Sequence, residues 1–407
     1  MTVRSCPGRR YAIWLCLALA SVYGCGPSPP SGQLPTRASD GQTPAALWHL
    51  PGPVQGFVAF SPSGDEIVVA VSEYQGDEGT RGGHAAQTSQ LLLLKPRGEI
   101  IVLTSGYPDD QPSWSPDGKR IAFRRMTGPA RSPQSVAGEN GPGPPTGFDE
   151  LDFTLSVVDV ANRRLWTPEQ AEGTKSYPEF SPDGRWLAYD LYYRPPDGGH
   201  IENAYGLVEL SSGATRITHP GPWYVHGLGQ AWNQSGRRLV APFALALESR
   251  VELWMYDLRT DHWSRIAAAE GRSTSMSYPR FDPEGKSVSY VSYDYKTNSS
   301  SMHRVDLPSG EVHLAARLQA RGGAALLGAI TAPDGGGMAG TVVAAEGAAP
   351  AEGCPTAAVI WTYKGRGGEI TPPRGYSNPS FRGWSPDARR IAVSFNDDRD
   401  VAVYDLP

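Results

Sequence analysis

Pro112-Ser-Trp-Ser-Pro-Asp-Gly-Lys-Arg-Ile-Ala-Phe123 reads as a short strand ending on Trp114, a tight turn over residues 115–118 and a second strand over 120–124. Pro116 presets φ near −65°, Asp117 can bond its own backbone, and Gly118 tolerates the positive φ that closes such a hairpin. Beyond the turn, Ile121 and Phe123 alternate with Arg120, Ala122 and Arg124, the period-2 pattern of a strand with two different faces.

Working outward, the unit recurs. Degenerate copies read Phe60-Ser-Pro-Ser-Gly64, Phe180-Ser-Pro-Asp-Gly184, Trp232-Asn-Gln-Ser-Gly236, Phe281-Asp-Pro-Glu-Gly285, Thr331-Ala-Pro-Asp-Gly335 and Trp384-Ser-Pro-Asp-Ala388. With the opening stretch that makes seven, spaced 54, 66, 52, 49, 50 and 53 residues apart. Six of the seven place Phe or Trp immediately before the turn, and only the copy at 331–335 does not. Two further apolar strands follow the hairpins, for example 205–210 and 214–218. A period near 50 with four strands per repeat predicts an all-β, seven-bladed propeller of four-stranded blades. The seventh repeat is one strand short. The apolar stretch 46–50 is expected to pair beside residues 401–406 as the missing strand, closing the ring and covering two edges.

The N-terminal residues read as an export signal. Arg4, Arg9 and Arg10 precede an apolar core over 11–22, too short for a permanent span. It ends in Val22-Tyr-Gly-Cys25, which resembles a bacterial lipobox and implies lipidation of Cys25. The expected organisation is a signal peptide at 1–24, the lipidated Cys and a flexible Pro/Ser/Gly tether at 25–44, and the propeller at 45–407. This predicts an exported lipoprotein held in the cell envelope, on the outer membrane or the periplasmic face, by acyl chains. The net charge of −5 is small and unclustered, so nucleic-acid binding is not indicated. A monomeric ring is expected.

The aromatic-Ser-Pro-Asp-Gly-Lys/Arg pattern followed by Ile/Leu-Ala-Phe/Tyr resembles the WD40-like (PD40) propeller repeat of TolB. It is most specific at Trp114–Phe123, Phe180–Tyr189 and Trp384–Val393. Such proteins are periplasmic and work with a peptidoglycan-associated lipoprotein. The resemblance implies the fold and the general role of a binding platform, and it assigns no functional residue.

Candidate chemistry is sparse. Gly383-Trp-Ser385 is the seventh turn and lacks the following Gly and the strand–turn–helix setting of a nucleophile elbow. The eight His form no i,i+4 pair and no His-x-His pair, and Cys354 stands alone, so no metal or other cofactor is expected. Asp109-Asp110, Asp397-Asp398 and Asp400 lack the spacing of a Ca²⁺ loop and read as solvated turns.

Four insertions, 73–89, 127–150, 193–203 and 344–355, each fall between the second and third strands of a repeat. Strand alternation gathers them on one end of the ring, opposite the tight turns. Tyr107-Pro108, Tyr177-Pro178, Tyr278-Pro279 and, more loosely, Tyr376-Ser-Asn-Pro379 are expected at corresponding points around the channel on that end. The candidate ligand face is therefore Tyr107, Asp109, Asp110, Tyr177, Trp223, Tyr224, His226, Tyr278 and Tyr376. The expected role is a non-catalytic binding or scaffold module for an envelope protein, peptide or glycan. The alternative is a channel-mouth hydrolase or lyase.

Overall fold

A computed structural model describes residues 43–407 except 74–87, 128–136, 139–140, 143–152, 194–201, 222–223, 227–228, 246–249, 270–273, 295–296, 298, 320–324 and 344–356. The expected signal peptide, Cys25 and the expected tether up to residue 42 lie outside the described residues, as does most of each of the four insertions.

The chain forms seven antiparallel blades, and each begins at the channel with its first strand. Blade 1 comprises Val54–Phe60, Ile67–Glu73, Thr88–Leu94 and Ile100–Val102. Blade 2 comprises Asp109–Trp114, Arg120–Met126, Phe153–Asp159 and Leu165–Trp166. Blade 3 comprises Thr174–Phe180, Trp186–Tyr193, Glu202–Glu209 and Thr215–Thr218. In blade 4 the first strand is split into Tyr224–His226 and Ala231–Trp232, both paired to Arg238–Leu245, with Arg250–Asp257 and His262–Ala268 outside.

Blades 5 and 6 are regular and run from Thr274–Phe281 to Val312–Gln319 and from Ala325–Thr331 to Arg366–Ile370. Blade 7 comprises Ser380–Trp384, Arg390–Phe395 and Asp400–Asp405. Its fourth strand is Ala46–His49, antiparallel to Asp400–Asp405 with Leu47 opposite Ala402. Trp48 is buried and donates its indole N–H to the Lys95 carbonyl of blade 1 at 2.9 Å, tying the closing strand to the next blade.

The turns form from local chemistry. Ser115 Oγ donates to Asp117 Oδ1 at 2.6 Å and accepts the Arg120 N–H at 2.9 Å, while Asp117 accepts the Lys119 N–H at 3.1 Å. Ser181 with Asp183 and Ser385 with Asp387 repeat the pattern. Blades 4 and 5 substitute Asn233 and Asp282, whose side-chain oxygens take the same backbone donors. Gly118 has φ +68°, and Ala388 takes the left-handed conformation with a Cβ, φ +56°.

The aromatic before each turn fills the seam between blades. Trp114 packs with Val68, Ala70, Leu91 and Leu93 of blade 1 and with Ile121 and Phe123 of its own blade. Its indole donates to the Ala59 carbonyl at 3.0 Å. Trp232 and Trp384 make the same inward bond to Glu179 and Ile330 of the preceding blades, at 3.4 and 3.2 Å. Aromatic burial and a repeated hydrogen bond therefore lock neighbouring blades together. The copy at 331–335, without the aromatic, still builds its blade: Ala332 and Ile330 join the blade 6 and 7 core.

Candidate functional site

The channel wall is made by the first strands, and these are not regular. A register shift interrupts them in blades 1, 2, 3, 5, 6 and 7. Left-handed residues mark the row: Gly56, Gln111, Tyr177, Gly229, Tyr278 and Gly328, with φ from +49° to +79°. Gln111, Tyr177 and Tyr278 are each followed by Pro. At a bulge one residue is left unpaired, so a residue without an N–H is tolerated there. Holding Gln or Tyr at positive φ costs on the order of 1–3 kcal/mol, strain of a kind that clusters at functional sites.

This alignment corrects one expectation. Tyr177 and Tyr278 lie within their strands at the bulge, three residues before the turn aromatic. Their counterpart in blade 2 is Gln111, and Tyr107-Pro108 lies four residues earlier, ahead of the strand. Tyr376 likewise precedes its strand and stacks edge-on against Phe395 at 5.7 Å. The four tyrosines are not equivalent points on a ring.

Hydrogen bonds run from blade to blade along the bulges. The Tyr177 N–H donates to Gln111 Oε1 at 2.7 Å, and Gln230 Nε2 donates to the Tyr177 carbonyl at 2.9 Å. Arg280 Nη1 donates to the Gln230 carbonyl at 2.7 Å, Thr331 Oγ1 donates to the Tyr278 carbonyl, and Arg382 Nη1 donates to the Gly56 carbonyl at 2.9 Å. These bonds fix the channel's shape. Tyr177 and Leu327 nevertheless stay 47% and 51% exposed on first strands, so both offer apolar surface to the channel.

Asp397 and Asp398 lie on the turn 396–399, Asp397 exposed as expected, but Asp109, Asp110 and Asp400 are strand residues engaged by neighbouring side chains. Asp110 is held by Arg124 through two bonds of 2.7 and 2.5 Å, and Arg124 stacks over Phe153 at 4.2 Å. Asp109 is fully buried and held by Arg125 through two bonds of 2.7 Å. Burial pushes its carboxyl up while Arg125 pulls it back. Arg125 also lies over the exposed Tyr107 ring at 4.6 Å. These residues stand on the first strand of blade 2, not on a turn, because bidentate guanidinium partners on the second strand satisfy them. Asp398 pairs with Arg382, Asp400 with His49, and Asp397 accepts from Asn378 at 2.9 Å.

Of the remaining candidates, Tyr278 is half-buried against the blade 6 and 7 core and against Gly229, where a Cβ would meet its Cδ1 at 2.9 Å. Tyr224 and His226 sit on the inner strand of blade 4 opposite Leu245 and Phe243. Trp223 lies outside the described residues.

Composition and motif reading missed a cluster in blade 3. Asp190 is 6% exposed and lies between Ser176 and Tyr205 in register; Tyr192 lies between Thr174 and Asn203. After the bulge, Glu179 returns to the same face. Tyr205 donates to Asp190, and Glu179 repels it. Burial first and Glu179 second push Asp190 well above the carboxylate range. Burial likewise raises Glu179 to about 7, against the pull of Arg280 from blade 5. Tyr177 lies within electrostatic reach of Asp190. A carboxyl held near neutrality beside a second one pushed up by burial is a candidate for proton exchange or ligand recognition. The available signal was polar residues at Glu179 and Asp190 where alternation calls for apolar ones. Among the described residues, no group of three or more His, Cys, Asp and Glu converges as a metal site would require.

No protein-family profile matches the chain. An uncharacterized protein of Agrobacterium fabrum is 23% identical over 210 residues, spanning 50% of this chain and 61% of that protein's length. Among solved structures, an oligogalacturonate lyase in complex with manganese aligns at a TM-score of 0.55 and 15% identity over 91% of this chain and 94% of its own. Kuenenia stuttgartiensis hydrazine synthase aligns at 0.55 and 13% identity over 91% and 99%. A TolB structure from Agrobacterium tumefaciens reaches 0.44 at 15% identity over 76% and 94%. At such identities the likeness is one of fold. The chain is a seven-bladed β-propeller of four-stranded blades, as the repeat predicted.

Proposed function

We propose that this protein is a lipid-anchored propeller of the bacterial envelope that binds a protein, peptide or glycan at the loop end of its channel, without chemistry of its own. One observation carries the reading. The inner wall is rigidly cross-bonded and still exposes Tyr177 and Leu327, whereas Asp109 and Asp110 are spent on arginines. Preformed aromatic and apolar surface suits recognition. The insertions enter between second and third strands, on the end where first strands begin, and loops of that kind carry function. Capture of envelope material by the full chain in mild detergent, with no turnover of oligosaccharides or peptides, is the expected result. Turnover by the purified protein would refute it.

The pair Glu179 and Asp190 favours a second reading, a hydrolase or lyase. Two carboxyls in unlike surroundings, one near 7, is an arrangement that acid–base catalysis uses. Loss of a measured turnover in Glu179→Gln would establish it.

The anchor makes its own prediction. Cys25→Ser should release the protein from membranes or leave the signal uncut, read by fractionation and by the mature mass. A Cys25→Ser protein that is cut normally and stays membrane-bound would remove lipidation from the account.

A further inference from the structure

We propose that the cleft between blades 3 and 4, reached from the channel past Tyr177, is a receptor for an organic cation, a primary ammonium or guanidinium carried by the ligand. This rests on the reading that the channel mouth binds a ligand, and it names that ligand's chemistry.

The cleft is rich in acceptors. On the blade 3 face that meets blade 4, register aligns Ser176, Asp190 and Tyr205 in one row and Thr174, Tyr192 and Asn203 in the next, with Glu179 below the bulge. Blade 4 answers with Gln230. That side chain is 4% exposed and its Nε2 holds the Tyr177 carbonyl, but its Oε1 has no partner. Asn203 Oδ1 is also buried without a partner. Among the described residues the Glu179 carboxylate has neither a hydrogen bond nor an ion pair, and the residue is half-buried. Buried acceptors left unpaired are costly, about 1–3 kcal/mol each, so two on this seam call for a donor that the described residues do not supply.

The charge points the same way. Glu179 and Asp190 are two acidic groups in mutual repulsion. The facing cation from blade 5 is Arg280, whose Nη1 is spent on the Gln230 and Pro279 carbonyls. On the blade 2 side Arg124 is neutralised by Asp110. With Asp190 held protonated, ionised Glu179 faces Arg280 as its cation among the described residues, and since that Nη1 is already given to two carbonyls the carboxylate oxygens keep acceptor capacity for a ligand's cation. Tyr177 adds an exposed aromatic ring at the way in, and aromatic faces attract ammonium and guanidinium groups.

A neutral buried carboxylic acid must lose its proton to hold a cation, so binding is coupled to pH. Glu179 near 7 is largely protonated below neutrality and ionised above it. Affinity should therefore rise between about pH 6 and pH 8, with protons released on binding.

The test uses the full chain in mild detergent and N-acetyl-lysine methylamide as the probe, with N-acetyl-norleucine methylamide as its uncharged control and Ca²⁺ as a competing cation. Calorimetry should show the lysine probe binding and the control not binding. Glu179→Gln should weaken binding about tenfold or more, the loss of one charge-assisted contact. Asp190→Asn is the second variant, and melting curves confirm that both are folded. No binding of the lysine probe, equal binding of the control, unchanged affinity in Glu179→Gln, or binding of Ca²⁺ in place of the amine would each overturn the proposal. An envelope partner whose capture needs Tyr177 but is indifferent to Glu179→Gln would remove the cation receptor and leave the channel-mouth reading standing.

Discussion

Trp114→Ala should destabilise the ring by roughly 3–5 kcal/mol, the usual cost of emptying a buried aromatic site. The indole is 9% exposed and wedged between blades 1 and 2, so the cavity opens on two hydrophobic faces that cannot collapse independently. The loss also strips the Ala59 carbonyl of its donor at 3.0 Å, while Trp114→Phe keeps most of the volume and loses only that bond. The two variants should therefore rank wild type above Phe and Phe above Ala in chemical denaturation midpoint. An unchanged midpoint in Trp114→Ala would show that the seam is not held by these aromatics.

The second large effect is pH-dependent and has the opposite sign. In the folded chain Glu179 sits near 7, above its ordinary value of 4.5. The folded state therefore binds this proton more tightly than the unfolded state does. The stability it brings is complete below about pH 4.5 and is lost as the pH rises through about 7. Glu179→Gln cannot ionise and escapes that loss. It should match wild type near pH 4 and exceed it at pH 8 by up to about 3 kcal/mol, since each decade is worth ~1.4 kcal/mol. Asp190 is displaced in the same direction, by burial first and by Glu179 second, so removing the Glu179 charge also relieves Asp190 and shifts the difference the same way. Melting curves across that range decide it. A variant less stable than wild type at pH 8 would mean that Glu179 is held as a paired anion. In the cation assay the same variant would be the more stable protein and the weaker binder, which separates folding from recognition.

Fold and site were legible to different degrees because their information is stored at different ranges. Ser115, Asp117 and Gly118 bond within a six-residue window, so the turn, its repeats and the blade count are visible in the chain itself. The closing strand was also readable, since Ala46–His49 is apolar and the seventh repeat lacked a strand. The bulges were not. Tyr-Pro at 107–108 looks like Tyr-Pro at 177–178, and only the strand register reveals that Gln111 takes the position in blade 2. Asp109 and Asp110 resembled solvated turn residues, because their partners Arg125 and Arg124 are on the next strand and ordinary alternation does not single them out. Glu179 was hidden for a longer-range reason. Its environment is set by Asp190 across the sheet and by Arg280 two blades away, neither of which any local pattern connects to it.

The account stands on recognition at the loop end of the channel, and paired alanine sets measure that directly. With captured envelope material as the ligand, one set is Tyr177→Ala with Tyr224→Ala on the channel side, and the other is Lys119→Ala with Arg185→Ala on the tight-turn side. Binding is predicted to fall in the first set and to persist in the second. Loss in the turn-end set alone would place the docking surface on the opposite face of the ring and contradict the account.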